Sequence, residues 1–217
     1  WSSDVCSSDL RPSTYSVWEG FDTLRNTFVM VQSPDASPLY ELDIAAWAQY
    51  ITAFNPSPTH KLPPSQYTFL NGVNAYKPLP QSLINTFMTN SINFVTTGAE
   101  GGITNTIIVP GKNLDGTPAN VGFSIDWVQI HMNEDISNAV INGSNNPISP
   151  LYYNQDGINF LQQVAVNTAN RAISTGLALG QVIVTSLDPN EFATNVSTGA
   201  YRGNFVINAV PFSIYTG

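Results

Sequence analysis

Apolar residues along the chain fall into short runs and helix-spaced stripes, and their order sketches interspersed helices and strands. Ser13 to Arg25 predicts a short helix, with Val17, Phe21 and Leu24 on one face. Phe28-Val29-Met30-Val31-Gln32 predicts a buried strand ended by Ser33-Pro34-Asp35. Ile44, Trp47, Ala48 and Ile51 recur at helical spacing. Ser37 suits the cap of that helix, Pro38 its first turn, and Glu41 and Asp43 its positive end. Asn55-Pro56-Ser57-Pro58 stops it. Proline then punctuates residues 55–80, around a short strand at Tyr67-Thr68-Phe69-Leu70. Pro80 opens a helix through Phe87 and Met88, and Ser91 to Thr96 alternates as a strand.

Two further strands are expected at Ile103 to Val109 and Asn120 to Ile125. The turn formers from Pro110 to Pro118 between them predict a hairpin. A helix from about Asp126 to Asn142 carries Val128, Met132, Ile136, Ala139 and Val140 as its apolar stripe, with Gly143 as a left-handed stop. After an Asn- and Pro-rich loop, Asn154 caps a long helix from about Gln155 to Thr175, and Gly176 ends it. Ile158, Leu161, Ala165, Thr168, Ala169 and Ala172 line one side of that helix. Strands follow at Gln181 to Thr185 and Asn204 to Ile214, with Pro211 marking an edge or bulge. The expected class is α+β (mixed α/β), a sheet with helices packed on it. Residues 11–217 show no repeat and no compositional break, and read as one unit or two closely packed ones.

Composition narrows the function classes. The chain has 217 residues, 42% of them hydrophobic, which suits a packed globular protein. Only 10% are charged, against roughly 25% in an ordinary soluble domain. The net charge of −8 argues against a nucleic-acid face or an anionic membrane surface. No apolar run approaches the ~20 residues of a membrane helix. Trp1 to Leu10 reads as the translated end of a sequencing-library adapter, not as native protein. It carries Cys6, the one cysteine, so neither a disulfide framework nor a Cys-rich zinc site is expected. With no closing element after Tyr215-Thr216-Gly217, residues 11–217 read as a region incomplete at both ends.

Catalytic signatures are weak. His60 lies in a Pro-rich loop, and His131 lies mid-helix with Asp135 at i+4, where a surface hydrogen-bonded pair is expected. Ser124, His131 and Asp126 do not make a triad, because no Gly-x-Ser-x-Gly elbow exists and one helix gives the wrong geometry. Glu134 and Asp135 are adjacent and point apart. Asn113-Leu114-Asp115-Gly116 opens like a calcium loop but lacks the later bidentate Glu, so a turn is expected. Gly98-Ala99-Glu100-Gly101-Gly102 has no Lys and no following helix, so it is not a phosphate cradle. Asn142-Gly143-Ser144 and Asn195-Val196-Ser197 match a glycosylation pattern common by chance in Asn-rich chains. Trp18, Trp47, Trp127, Tyr152 and Tyr153 have faces suited to sugars, but core packing is favoured for Trp47 and Trp127. No catalytic, cofactor or metal residue is assigned, and no cofactor is expected.

One resemblance rests on motif order. Ile92-Asn93-Phe94-Val95 precedes Val109-Pro110-Gly111 and Asp115-Gly116-Thr117; Ser124-Ile125-Asp126-Trp127 opens a helix; Tyr152-Tyr153-Asn154-Gln155-Asp156-Gly157-Ile158 opens the last long one. This order resembles the C-terminal half of sheath-like tail proteins of contractile-tailed bacteriophages, and the likeness covers most of 27–217. The resemblance implies a non-enzymatic virion subunit that polymerises around a tail tube. Its implied partners are copies of itself and the tube protein, with no direct nucleic acid and no membrane. Low charge fits large subunit interfaces. Gln181, Val182, Ile183, Val184 and Thr185, with Phe205, Val206 and Ile207, are candidate strands for pairing across subunits; pairing within the chain is the other outcome. An extracellular adhesin or carbohydrate-binding module, or another virion component such as capsid, tube or baseplate, are the alternatives.

Overall fold

The computed structural model describes residues 27–34, 43–52, 56–57, 61–77, 79–100 and 103–216. They form two units: one built from the chain up to Asn55 and from Leu62 to Phe123, the other from Pro56–Lys61 and Ser124–Gly217. The class is α+β, as expected. The helix expected over Ser13–Arg25, the adapter-like Trp1–Leu10, the residues Ser37, Pro38 and Glu41, and His60 lie outside the described residues.

The first unit is a mixed sheet covered on both faces. Strand β1 (Met30–Val31) pairs parallel with β2 (Asn93–Glu100), which pairs antiparallel with β3 (Ile103–Val109). The Tyr67–Leu70 segment extends the sheet along β3: Tyr67 donates to Ile108, Ile108 to Thr68, and Leu70 to Thr106. Alternate residues serve opposite faces. Val29, Val31, Ile92 and Phe94 pack with Tyr76, Phe87 and Leu114 on one side. Met30, Val95 and Ile108 pack with Trp47, Leu70, Val73 and Ala119 on the other. Helix α1 (Asp43–Thr52) brings Trp47, stacked on Phe28 at 4.8 Å, and helix α2 (Gln81–Thr89) brings Phe87. Phe87 meets Tyr76 edge-on at 5.7 Å, and burial raises the Tyr76 phenol above its ordinary pKa. Asn93 is fully buried within β2, where its backbone N donates to the Val29 carbonyl at 2.9 Å and its side-chain amide adds further bonds. Its Nδ2 donates to the Val29 and Lys112 carbonyls, and its Oδ1 accepts from Lys112 N.

Three expectations fail between residues 110 and 144. Asn120–Ile125 is not a strand; it forms the first turns of helix α3 (Ala119–Ser144). The alternation of Val121, Phe123 and Ile125 imitates a strand, but Val121 and Ile125 are exposed. The buried pair is Ala119 and Gly122, three apart, which is a helical spacing. A Cβ on Gly122 would stand 2.7 Å from Asn113 Nδ2, so the missing side chain lets the helix start seat against the preceding loop. Residues 110–118 therefore connect β3 to α3, and the hairpin partner of β3 is β2, in register from Phe94↔Val109 to Glu100↔Ile103. Within the connection, Asp115 accepts from Thr117 N and Oγ1 at 2.9 and 2.8 Å, a local turn as expected. Gly143 does not stop α3, since the helix runs on to Ser144.

The second unit holds the rest of α3, helix α4 (Gln155–Ser174), strand β4 (Val182–Thr185), helix α5 (Pro189–Ser197), strand β5 (Phe205–Asn208) and a short turn of helix, α6 (Ser213–Thr216). Asn154 caps α4 by accepting from Gly157 N at 2.9 Å, and Gly176 ends it with φ at +75°. Ala165, Thr168, Ala169 and Ala172 are its buried side, as the sequence pattern predicts. Helix α5 was not foreseen. Its start is nevertheless written in the chain: Asp188 accepts from Asn190 N and Glu191 N, and Pro189 occupies the first turn. Strand β5 is shorter than the expected Asn204–Ile214. It ends where the Asn208 side chain takes over pairing, bonding Leu187 N at 2.8 Å, the Leu187 carbonyl at 3.0 Å and the Thr185 hydroxyl at 2.9 Å.

Candidate functional site

Three features of the second unit combine exposure with ordered geometry. The first is the β4–β5 pair, which contains the strands singled out for assembly. The two strands pair with each other, parallel, from Val182↔Phe205 to Thr185↔Asn208. Intrachain pairing is thus the observed outcome for one edge of each. They form a two-stranded sheet among the described residues, so the other edge of each meets no strand there. Gln181 precedes β4 and joins the pair through its carbonyl, which accepts from Phe205 N at 2.9 Å. Val182, Ile183, Thr185, Phe205, Val206 and Ile207 are half-buried, whereas Val184 is 51% exposed. Gln162 of α4 reaches the Thr185 carbonyl at 3.3 Å, which places that helix beside the sheet.

The second feature locks α3 to α4. Asp135 accepts from Thr168 Oγ1 at 2.5 Å and from Arg171 Nη2 at 3.0 Å. The same guanidinium lies 5.1 Å from the Trp127 ring centre. Trp127 stacks in turn on His131 at 4.0 Å. Two expectations are corrected here. His131 and Asp135 do not pair: the imidazole turns back one turn, with Nδ1 2.9 Å from the Trp127 carbonyl, while Asp135 faces a cation and a hydroxyl on α4. A charge-assisted bond to Arg171 outcompetes one to an imidazole on the same helix. Trp127 is half-buried in this stack instead of packed in a core. Glu134 points to solvent, as its place beside Asp135 requires. Ser124, Asp126 and His131 lie along α3, with the His131 ring engaged by Trp127.

The third feature is a groove of about 610 Å³ where the α3–α4 hairpin closes, lined by Asn142, Asn146, Tyr152, Asn154, Asp156 and Phe160 among others. Two glycines let the connecting loop approach both helices. A Cβ on Gly143 would fall 2.7 Å from Leu151 Cβ, and one on Gly157 would fall 2.1 Å from the Tyr152 carbonyl oxygen. Hydrogen bonds then fix the loop. Leu151 N donates to the Gly143 carbonyl at 2.9 Å, and Asn146 Oδ1 accepts from Ile148 N and Ser149 N. Asn142 and Gly143 were noted in the chain as a glycosylation pattern and a helix stop; the loop contacts that give them this role become visible only in three dimensions. Tyr153 turns the other way and meets Phe212 edge-on at 5.2 Å.

Among the described residues, no three His, Cys, Asp or Glu side chains converge as a metal site. No helix there is long and apolar enough to cross a membrane. No protein-family model matches the chain, and a search of curated proteins finds no match.

Proposed function

We propose that this chain is a self-assembling structural subunit of the sheath-like kind built into the tails of contractile-tailed bacteriophages. Its partners are then copies of itself and the tail tube, it resides in the virion, and it works through interfaces instead of catalysis. The observation that carries the reading is the imbalance between the two units. Both clusters of large buried apolar side chains lie in the first unit. In the second, Leu177 is the one large apolar side chain buried among the described residues; the others that are buried are alanines 165, 169 and 172. Ile130, Ile148, Leu179 and Val184 are instead exposed, Ile148 by 93% and Leu179 by 88%. A region of this size ordinarily gathers such side chains into a core of its own. Surfaces that are covered in an assembly are where apolar residues are tolerated outside one. The outer edges of β4 and β5, which meet no strand among the described residues, offer a place for a neighbour's strand.

Electron microscopy and sedimentation of the full chain under assembly conditions test this. Rings or tubes are the expected outcome, and Val184→Lys, at an exposed position, is expected to leave the fold intact while abolishing them. Monodisperse monomers across concentration and salt would refute the reading, and closed shells would reassign the chain to another virion component.

A further inference from the structure

We propose that the groove at the closed end of the α3–α4 hairpin binds a neutral carbohydrate. Its volume, about 610 Å³, falls within the range of roughly 300–1,000 Å³ typical of small-ligand sites. Its chemistry is selective. Tyr152 is 66% exposed on the rim and presents an aromatic surface to the ring C–H groups of a sugar. Asn142 and Asp156 also line the groove, and neither side chain spends its polar atoms on another described residue. Asn146 and Asn154 commit their Oδ1 atoms to the loop and to Gly157 N, which leaves their amide N–H groups as donors. The lining therefore offers amide donors, an amide acceptor and one carboxylate, a set that complements hydroxyls able to donate and accept. No Lys, Arg or His lines it, so a phosphate, sulfate or sialic acid would meet Asp156 without a counter-charge.

The groove is also built before any ligand arrives. Tyr152 is held by Asn154 N donating to its carbonyl at 3.0 Å, and the loop closes on Gly143 and Gly157 as described. A preformed platform loses less freedom on binding. This inference stands apart from the assembly reading, since the groove's lining includes none of the exposed apolar side chains or strand edges on which that reading rests.

The full chain is applied to an array of immobilised neutral, sialylated and sulfated oligosaccharides, and the affinity for the best neutral binder is measured by titration calorimetry. Retention on neutral glycans is expected. Tyr152→Ala and Asp156→Asn should each weaken binding by about tenfold, while Asn170→Ala, exposed on α4 away from the groove, leaves it unchanged. Circular dichroism checks that the variants keep their helices. No retention of any neutral glycan overturns the proposal. So does retention confined to acidic glycans, or affinity that Tyr152→Ala and Asp156→Asn leave unaltered.

Discussion

Asn93 is a fully buried polar residue that ties β2 to two other segments of the first unit. It is buried inside a strand, yet it bonds Val29, just before β1, and the β3–α3 connection through Lys112. A leucine of similar size would fill the space and leave the Lys112 carbonyl and N–H without the side-chain partner, while the Val29 carbonyl keeps its bond from the residue 93 backbone N, 2.9 Å in Asn93. Such groups cost about 1–3 kcal/mol each when fully deprived of water, and relaxation recovers part of that. Asn93→Leu is therefore expected to lower unfolding stability by about 2–4 kcal/mol, read as a shift in urea midpoint at constant slope. Tyr76 gives a pH-dependent signature. Its phenol titrates higher in the folded chain than unfolded, because burial disfavours the phenolate. The stability it supports is present below its ordinary pKa of 10.0 and is lost as pH rises from there through the raised value. Tyr76→Phe should flatten the fall in melting temperature above pH 10.0, and an unchanged alkaline slope would show that other groups set it.

The helical hairpin is where element-scale energetics are most exposed to test. Its lateral lock is an ion pair whose partners are 46% and 29% solvent-exposed, so water screens much of the attraction. Arg171→Ala should cost only about 0.5–1 kcal/mol in thermal or urea unfolding, with part of the loss coming from the Trp127 contact. The closed end is less forgiving. Gly157→Ala places a methyl group against the Tyr152 carbonyl, which must move because α4 cannot. A loss of about 1–3 kcal/mol is expected, larger than that from removing the visible salt bridge. The reversed order, with Arg171→Ala the costlier change in urea, would mean that the loop is softer than its hydrogen bonds imply. The element boundaries followed the chain where caps were local. Asn154 and Gly176 bracket α4 as their residue types require, and Asp188-Pro189 starts α5 by the same chemistry. The alternation of Asn120–Ile125 fits a strand, and the helix shows in the burial of Ala119 and Gly122 against the exposure of Val121 and Ile125.

At the scale of the whole molecule, apolar burial is uneven, and the assembly reading follows from that unevenness. The first unit closes its sheet between α1 and α2, whereas the second leaves Ile148, Leu179 and Val184 at the surface. If assembly covers those side chains, the second unit's melting should rise with protein concentration while the first unit's stays fixed. Separate probes report the two units: Trp127 belongs to the second and Trp47 to the first. By itself the sequence determined the α+β class, the buried strands around Met30 and Phe94, and the capped length of α4. These rest on short-range rules, namely side-chain periodicity and the chemistry of helix ends. Tertiary structure alone decided which strands pair, that Asp135 faces Arg171 and not His131, and that Asn142, Tyr152 and Asp156 share one groove. Those outcomes depend on contacts between residues distant along the chain, where several partners of similar chemistry compete and packing selects one.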